Sequence, residues 1–110
     1  MIHAISSREA RVVERRIHDK VVRLLTKSRE MEAVVIELDP GDSFGEESVH
    51  EGEEFKYVLE GQVEFTVVDK RYFLGRGDWL WHRSDLPHSI RNPGPKRCVY
   101  VTVVVPPSLV

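Results

Sequence analysis

Turn residues break this chain at short intervals, and that spacing governs what it can fold into. Pro40-Gly41, Gly45, Gly52, Gly61, Gly75, Gly77, Pro87, Pro93-Gly94-Pro95 and Pro106-Pro107 separate runs of about five to nine residues, the length of strands. The runs are rich in Val, Phe, Tyr, Trp and Thr, side chains that pack well on a pleated surface. Strands are expected over Val34–Leu38, Phe55–Leu59, Val63–Val68, Arg71–Leu74, Trp79–His82 and Cys98–Val105. Val63, Phe65 and Val67 alternate with Gln62, Glu64 and Thr66, the pattern of a half-buried antiparallel strand. Val68-Asp69-Lys70-Arg71 reads as a hairpin tip. Val99, Val101, Val103 and Val105 with Tyr100, Thr102 and Val104 put β-branched side chains on both faces, as a central strand does. The pattern predicts an all-β fold, an antiparallel barrel of about six to eleven strands with little helix.

The opening segment is different. Ser6 or Ser7 could cap a short helix through Ala10-Arg11, whereas Val12-Val13 and Val21 to Thr26 read as strands. Residues 1–32 are expected to form an arm that contributes strands to the barrel or to a dimer, and residues 33–110 the barrel itself. At 110 residues the chain supports one core. Sixteen Lys and Arg against eighteen Asp and Glu give a charge of −2, which offers no pull towards nucleic acid. The single cysteine, Cys98, excludes an internal disulfide and a multi-thiolate zinc site; it reads as a small buried hydrophobe. Residues 1–30 lack the apolar stretch of a signal peptide. The run Val99 to Pro107 is about half the length of a membrane helix. A cytoplasmic protein without a membrane partner is expected.

Two segments carry the chemistry. One is His50-Glu51-Gly52-Glu53-Glu54-Phe55, with Gly61 seven residues beyond Glu54; the other runs from Gly77 through Pro87-His88 to Asn92. Imidazole nitrogen and carboxylate oxygen suit divalent Fe, Mn, Ni, Co or Zn, and two His with one carboxylate form the facial triad of non-haem iron oxygenases. Pro87 pins the turn before His88. Set against this, most histidines in proteins are not ligands, and the three could be plain surface groups.

Over roughly residues 33–105 the two segments, in this order and separation, resemble the two motifs of the cupin family. The resemblance implies a small jelly-roll barrel whose motifs sit on neighbouring strands and hold one metal ion through His50, Glu54 and His88. Ser48 stands where four-ligand cupins carry the first histidine of His-x-His. The resemblance therefore implies one ligand fewer, water at the remaining positions and partial occupancy. The three-ligand set is similar to that of hydroxypropylphosphonic acid epoxidase. Arg83 and Asp85 replace the usual Pro and Gly of the second motif, a change to the loop before His88 more than to the metal.

Alternation places Lys56 and Val58 on the same face as Glu54. Lys56 would then neutralise Glu54, await an anionic ligand, or snorkel to the barrel mouth. His82, on the face of Leu80, is a second pocket candidate, as acid, base or fourth ligand, or else a satisfied core or rim histidine. Trp79 and Trp81 lie on the opposite face and, with Phe55 and Tyr57, are expected to pack in the core or against a second subunit, hence a homodimer. Glu46-Glu47 and the acids from Glu51 to Glu54 other than the ligand read as rim charges, and Asn92 as a residue that fixes the backbone near His88.

Two functions fit. One is a metal-dependent oxygenase, isomerase or lyase acting on a small polar metabolite. The other is a non-catalytic sensor of such a molecule. Val34 to Gly41, His50 to Phe55 and Val104 to Pro107 are similar to the C-terminal cupin half of helix-turn-helix regulators. No helix-turn-helix is read in the sequence, so the expectation is a freestanding cupin of regulator type that does not itself bind DNA.

Overall fold

In the computed structural model, residues 3–11, 13–44 and 48–109 are described; Val12, Gly45, Glu46 and Glu47, on which expectations fell, lie outside them. The described residues form nine strands and no α-helix: β1 (Val13–Ile17), β2 (Lys20–Lys27), β3 (Glu32–Leu38), β4 (Glu53–Glu60), β5 (Gln62–Val67), β6 (Lys70–Gly75), β7 (Trp79–Arg83), β8 (His88–Arg91) and β9 (Cys98–Val105). All pairings are antiparallel. Six strands form one sheet in the order β1-β2-β3-β9-β4-β7, and three form a second in the order β6-β5-β8. This is the expected all-β jelly-roll barrel. Each of the six anticipated strands is present. No described helix is long and apolar enough to cross a membrane.

The inward side chains of both sheets make the core. Val34, Ile36 and Leu38 from β3, Val58 from β4, Phe65 from β5 and Tyr100 from β9 are all at most 1% exposed. Phe65 and Tyr100 meet edge to face at 5.5 Å between centroids, a favoured aromatic geometry. Cys98 is fully buried among them.

Four expectations change. The segment from Ser6 makes one turn, with the Glu9 and Ala10 amides donating to Ser6 O at 3.0 Å, and no helix follows. An isolated turn is a costly nucleus that does not propagate by itself. Glu64, expected on the solvent side of β5, is 5% exposed, because Arg91 Nη2 donates to its Oε2 at 2.8 Å and Arg71 Nε approaches its Oε1 at 3.6 Å. The His88 strand is not beside the Glu54 strand: β8 pairs with β5, while β4 pairs with β7 and β9. Finally, Trp79 and Trp81 are 60% and 51% exposed, so they do not pack in the core.

Gly52 shows how the backbone positions the first motif. Its φ is +102°, and a Cβ there would lie 1.8 Å from Val105 O. Only glycine lets the chain pass this close to β9 in that conformation. Its carbonyl accepts from Ser84 N at 2.8 Å, and His50 N donates to Ser84 O at 2.9 Å. The loop before β4 is thereby fastened to the end of β7.

Candidate metal centre

The site forms where the two sheets face each other. Glu54 is the second residue of β4, whose strict exposed–buried alternation turns Glu54, Lys56 and Val58 inward. His88 opens β8 and is fixed by a two-way backbone bridge: Ser48 N donates to His88 O at 2.9 Å, and His88 N donates to Ser48 O at 3.0 Å. His50 enters from the loop held by Ser84 and Gly52.

His88 Nδ1 lies 2.8 Å from Leu86 O and His50 Nδ1 lies 3.2 Å from Glu51 O. A carbonyl can only accept, so each Nδ1 carries a hydrogen, and in the neutral ring each Nε2 keeps its lone pair. Both Nε2 atoms point at one oxygen, Glu54 Oε2, each at 2.9 Å. The ligand atoms of His50, Glu54 and His88 all lie within 4.8 Å of one another. Three electron-rich atoms at such distances require positive charge among them, either a proton on one imidazole or a cation. Their types and the backbone carbonyls behind both imidazoles match the requirements of a divalent metal. The residues present therefore fit a metal ion. Ser48 Oγ stands 3.1 Å from His88 Nε2, so a hydroxyl occupies the neighbourhood where the motif usually has an imidazole.

Behind Glu54 runs a second buried chain. Lys56 Nζ donates to Glu54 Oε1 at 2.7 Å and lies 3.0 Å from His82 Nε2. His82 Nδ1 is 2.9 Å from Arg83 O, which leaves Nε2 free to accept from Lys56. Ser84 Oγ donates to Glu54 Oε2 at 2.9 Å. Burial alone would raise the Glu54 carboxyl, but a hydrogen bond from the His88 ring when its Nε2 carries a proton, together with the charge and hydrogen bond of Lys56, holds it well below the usual carboxylate range. Burial lowers the Lys56 ammonium against the pull of Glu54. His82 is pushed down to about 4 by burial and by the Lys56 charge. The network therefore favours neutral His82 and an ionised Glu54.

A cavity of about 160 Å³ opens beside the triad. Ser48, His50, Glu54 and His88 line it, and so do Ile36, Phe44 and Ile90. Lys56 and His82 do not line it, since their polar atoms turn towards Glu54 and each other. Several residues that reading the sequence did not single out do line it. His18 comes from the tight turn between β1 and β2 with φ +51° and packs edge to face on Phe44 at 5.4 Å. Ser108 and Leu109 come from the chain beyond β9, where the fully buried Glu32 carboxylate accepts from Ser108 N at 2.7 Å and also from Leu109 N. Thr102, from β9, is 1% exposed, and its hydroxyl has no protein partner among the described residues. Asn92 is fully buried, donating to Leu38 O and Lys96 O and accepting from Gly94 N at 2.8–2.9 Å; its side chain fixes backbone, but at Leu38, Gly94 and Lys96 rather than beside His88.

The family model of the cupin domain matches residues 34–104. A helix-turn-helix transcriptional regulator of Escherichia coli, PuuR, is 29% identical over 79% of this chain and 47% of its own length. The chain spans about half the length of the curated relatives it matches. Among solved structures, an RmlC-like cupin from Shewanella frigidimarina superposes with a TM-score of 0.78 at 20% identity, covering 97% of this chain and 93% of that one. The cupin domain of an XRE-family transcriptional regulator from Enterobacter cloacae superposes with a TM-score of 0.73 at 22% identity, covering 81% and 98%. At these identities the structural likeness establishes the fold.

Proposed function

The chain belongs to the cupin family, and from that premise we propose that it holds a divalent cation through His50 Nε2, Glu54 Oε2 and His88 Nε2 and uses it to bind a small polar metabolite. The observation that carries this is the convergence of two imidazole lone pairs on one carboxylate oxygen, each at 2.9 Å, at the edge of a cavity. Iron, manganese, nickel and zinc all suit two nitrogens and one oxygen. A bound cation of this kind polarises and orients an oxygen of the ligand. The protein's own part is positioning. Leu86 O and Glu51 O set the imidazole tautomers, and Ser84 and Lys56 hold the carboxylate.

Whether binding serves sensing or chemistry divides this reading. The sensor reading is favoured by the 29% identity to a regulator across most of this chain. The catalytic reading, an oxygenase, isomerase or lyase, draws on the small number of protein ligands and the cavity beside them. The reading includes a homodimer formed on the outer face of β4 and β7, where Trp79 and Trp81 are exposed.

The test is calorimetric titration of chelator-stripped protein with Fe(II), Mn(II), Ni(II) and Zn(II). One ion per chain is expected for wild type, with affinity lost in His50→Ala and His88→Ala. Wild type that binds none of them, or variants that bind equally well, would overturn the metal reading.

A further inference from the structure

The cavity wall specifies more than a cation. Among the described residues that line it, Glu54 is the one acid and there is no Lys or Arg. The Glu54 charge is already matched from behind by Lys56, whose Nζ is 2.7 Å from Oε1 and only 1% exposed. A divalent cation on the triad would therefore leave uncompensated positive charge facing the cavity, and the ligand has to supply the anion. The absence of an arginine fork or a lysine from the described lining argues against a phosphate group, which such side chains recognise. The cavity is small: about 160 Å³ is below the usual range of drug-sized pockets, roughly 300–1,000 Å³, which favours a small ligand.

The other walls describe the rest of the ligand. Ser48, Ser89, Ser108 and Thr102 bring hydroxyl-bearing side chains to the lining, which suits a ligand that carries oxygens. Ile36, Phe44, Ile90 and Leu109 add apolar side chains to the same lining. We infer that the ligand is a small 2-hydroxy or 2-oxo carboxylic acid with a short apolar chain, its oxygens on the cation side and its chain against Phe44 and Ile90. This rests on the cation site proposed above and assigns the class of molecule that completes it.

The test uses the full chain loaded with Co(II), whose visible absorption reports both metal binding and changes in its coordination. Absorbance on Co(II) addition tests the site. Glycolate, lactate, pyruvate and 2-hydroxybutyrate are then titrated against propane-1,2-diol, propylamine and inorganic phosphate. Lactate and pyruvate are expected to shift the spectrum and saturate at concentrations at least about tenfold below the other three classes, with lactate roughly tenfold better than glycolate for its extra methyl. Phe44→Ala, checked for folding by thermal melting, should erase the preference for lactate over glycolate while keeping Co(II). If Co(II) does not bind, the cation site and this inference fall together. If Co(II) binds and the acids act no better than the diol, the amine or phosphate, the ligand class alone is overturned. Loss of folding in Phe44→Ala leaves the wild-type comparison to decide.

Discussion

Lys56 and Glu54 stand two residues apart on one face of β4, joined at 2.7 Å, and both side chains are less than 5% exposed. A lone ammonium or carboxylate in this place would be strongly disfavoured, and each makes the other tolerable. The pair also decides which face of Glu54 is available: Oε1 goes to Lys56, and Oε2 remains for His50, His88 and Ser84.

Replacing Lys56 with Met keeps much of the volume and removes the charge. The cation-free protein is then expected to lose about 3 kcal/mol of stability, as a buried ion with its partner deleted does. Zinc should restore part of this loss, since a cation compensates the same carboxylate. Urea unfolding of Lys56→Met with and without zinc checks both statements. Equal stability to wild type without zinc would mean that the pair is not coupled.

Acid should weaken the fold in two stages. His82 has its folded value pushed to about 4 from 6.5, so the unfolded chain binds the proton more tightly. Stability that His82 contributes is present above pH 6.5 and is lost as pH falls towards 4, up to about 3 kcal/mol. Glu54 is lowered as well, from 4.5. Its contribution is present above that value and is lost progressively as pH falls further. Unfolding midpoints measured from pH 7.5 to pH 3.5 should decline from about 6.5 downward. His82→Gln, which keeps an acceptor for Lys56, should flatten the upper part of that decline and leave the lower part.

The legibility of this molecule in its sequence follows contact range. Turn residues delimit strands locally, so β3 to β7 and β9 could be read directly. His50, Glu54 and His88 could be singled out because their spacing is a pattern, although spacing does not show that β4 and β8 belong to different sheets. Ser84, His18, Thr102 and Glu32 carry no such signal. Ser84 meets Glu54 from thirty positions away and Glu32 holds Ser108 from seventy-six, and nothing near a lone Ser, Thr or Glu marks such a partner. The burial of Glu64 has the same cause, since Arg91 reaches it from twenty-seven positions along the chain.

Gly52→Ala should act at the site from a distance. The added Cβ has no room, with Val105 O at 1.8 Å and φ at +102°, so the loop must move, at a cost of about 2 kcal/mol or more. That loop carries His50, so zinc affinity should fall together with stability. Gly77→Ala is the control: its φ is +87° but nothing lies within 4 Å of its Cβ position, so it should lose stability without losing zinc. Zinc titration of the folded fraction of both variants separates the two effects. Equal zinc affinity in both would show that the Gly52 contact does not position His50.

The outer face of β4 and β7 sets the last expectation. Phe55, Tyr57, Trp79 and Trp81 lie in register, Phe55 opposite Trp81 and Tyr57 opposite Trp79, and are 38%, 38%, 60% and 51% exposed. Leu59 and Val105 extend the patch at 43% and 39%. Together they form a cluster of exposed apolar side chains on one sheet face, the kind of patch that marks an interaction site. Glu53 stands at its rim and accepts from Trp81 Nε1 at 3.0 Å. Light scattering of the wild-type chain should give twice the monomer mass. Trp79→Glu with Trp81→Glu, which puts two negative charges into the centre of the patch, should give the monomer mass while leaving the interior, and therefore zinc binding, unchanged. A wild type that stays monomeric at millimolar concentration would remove the dimer from the account of this protein, and a double variant that remains dimeric would move the interface to another face.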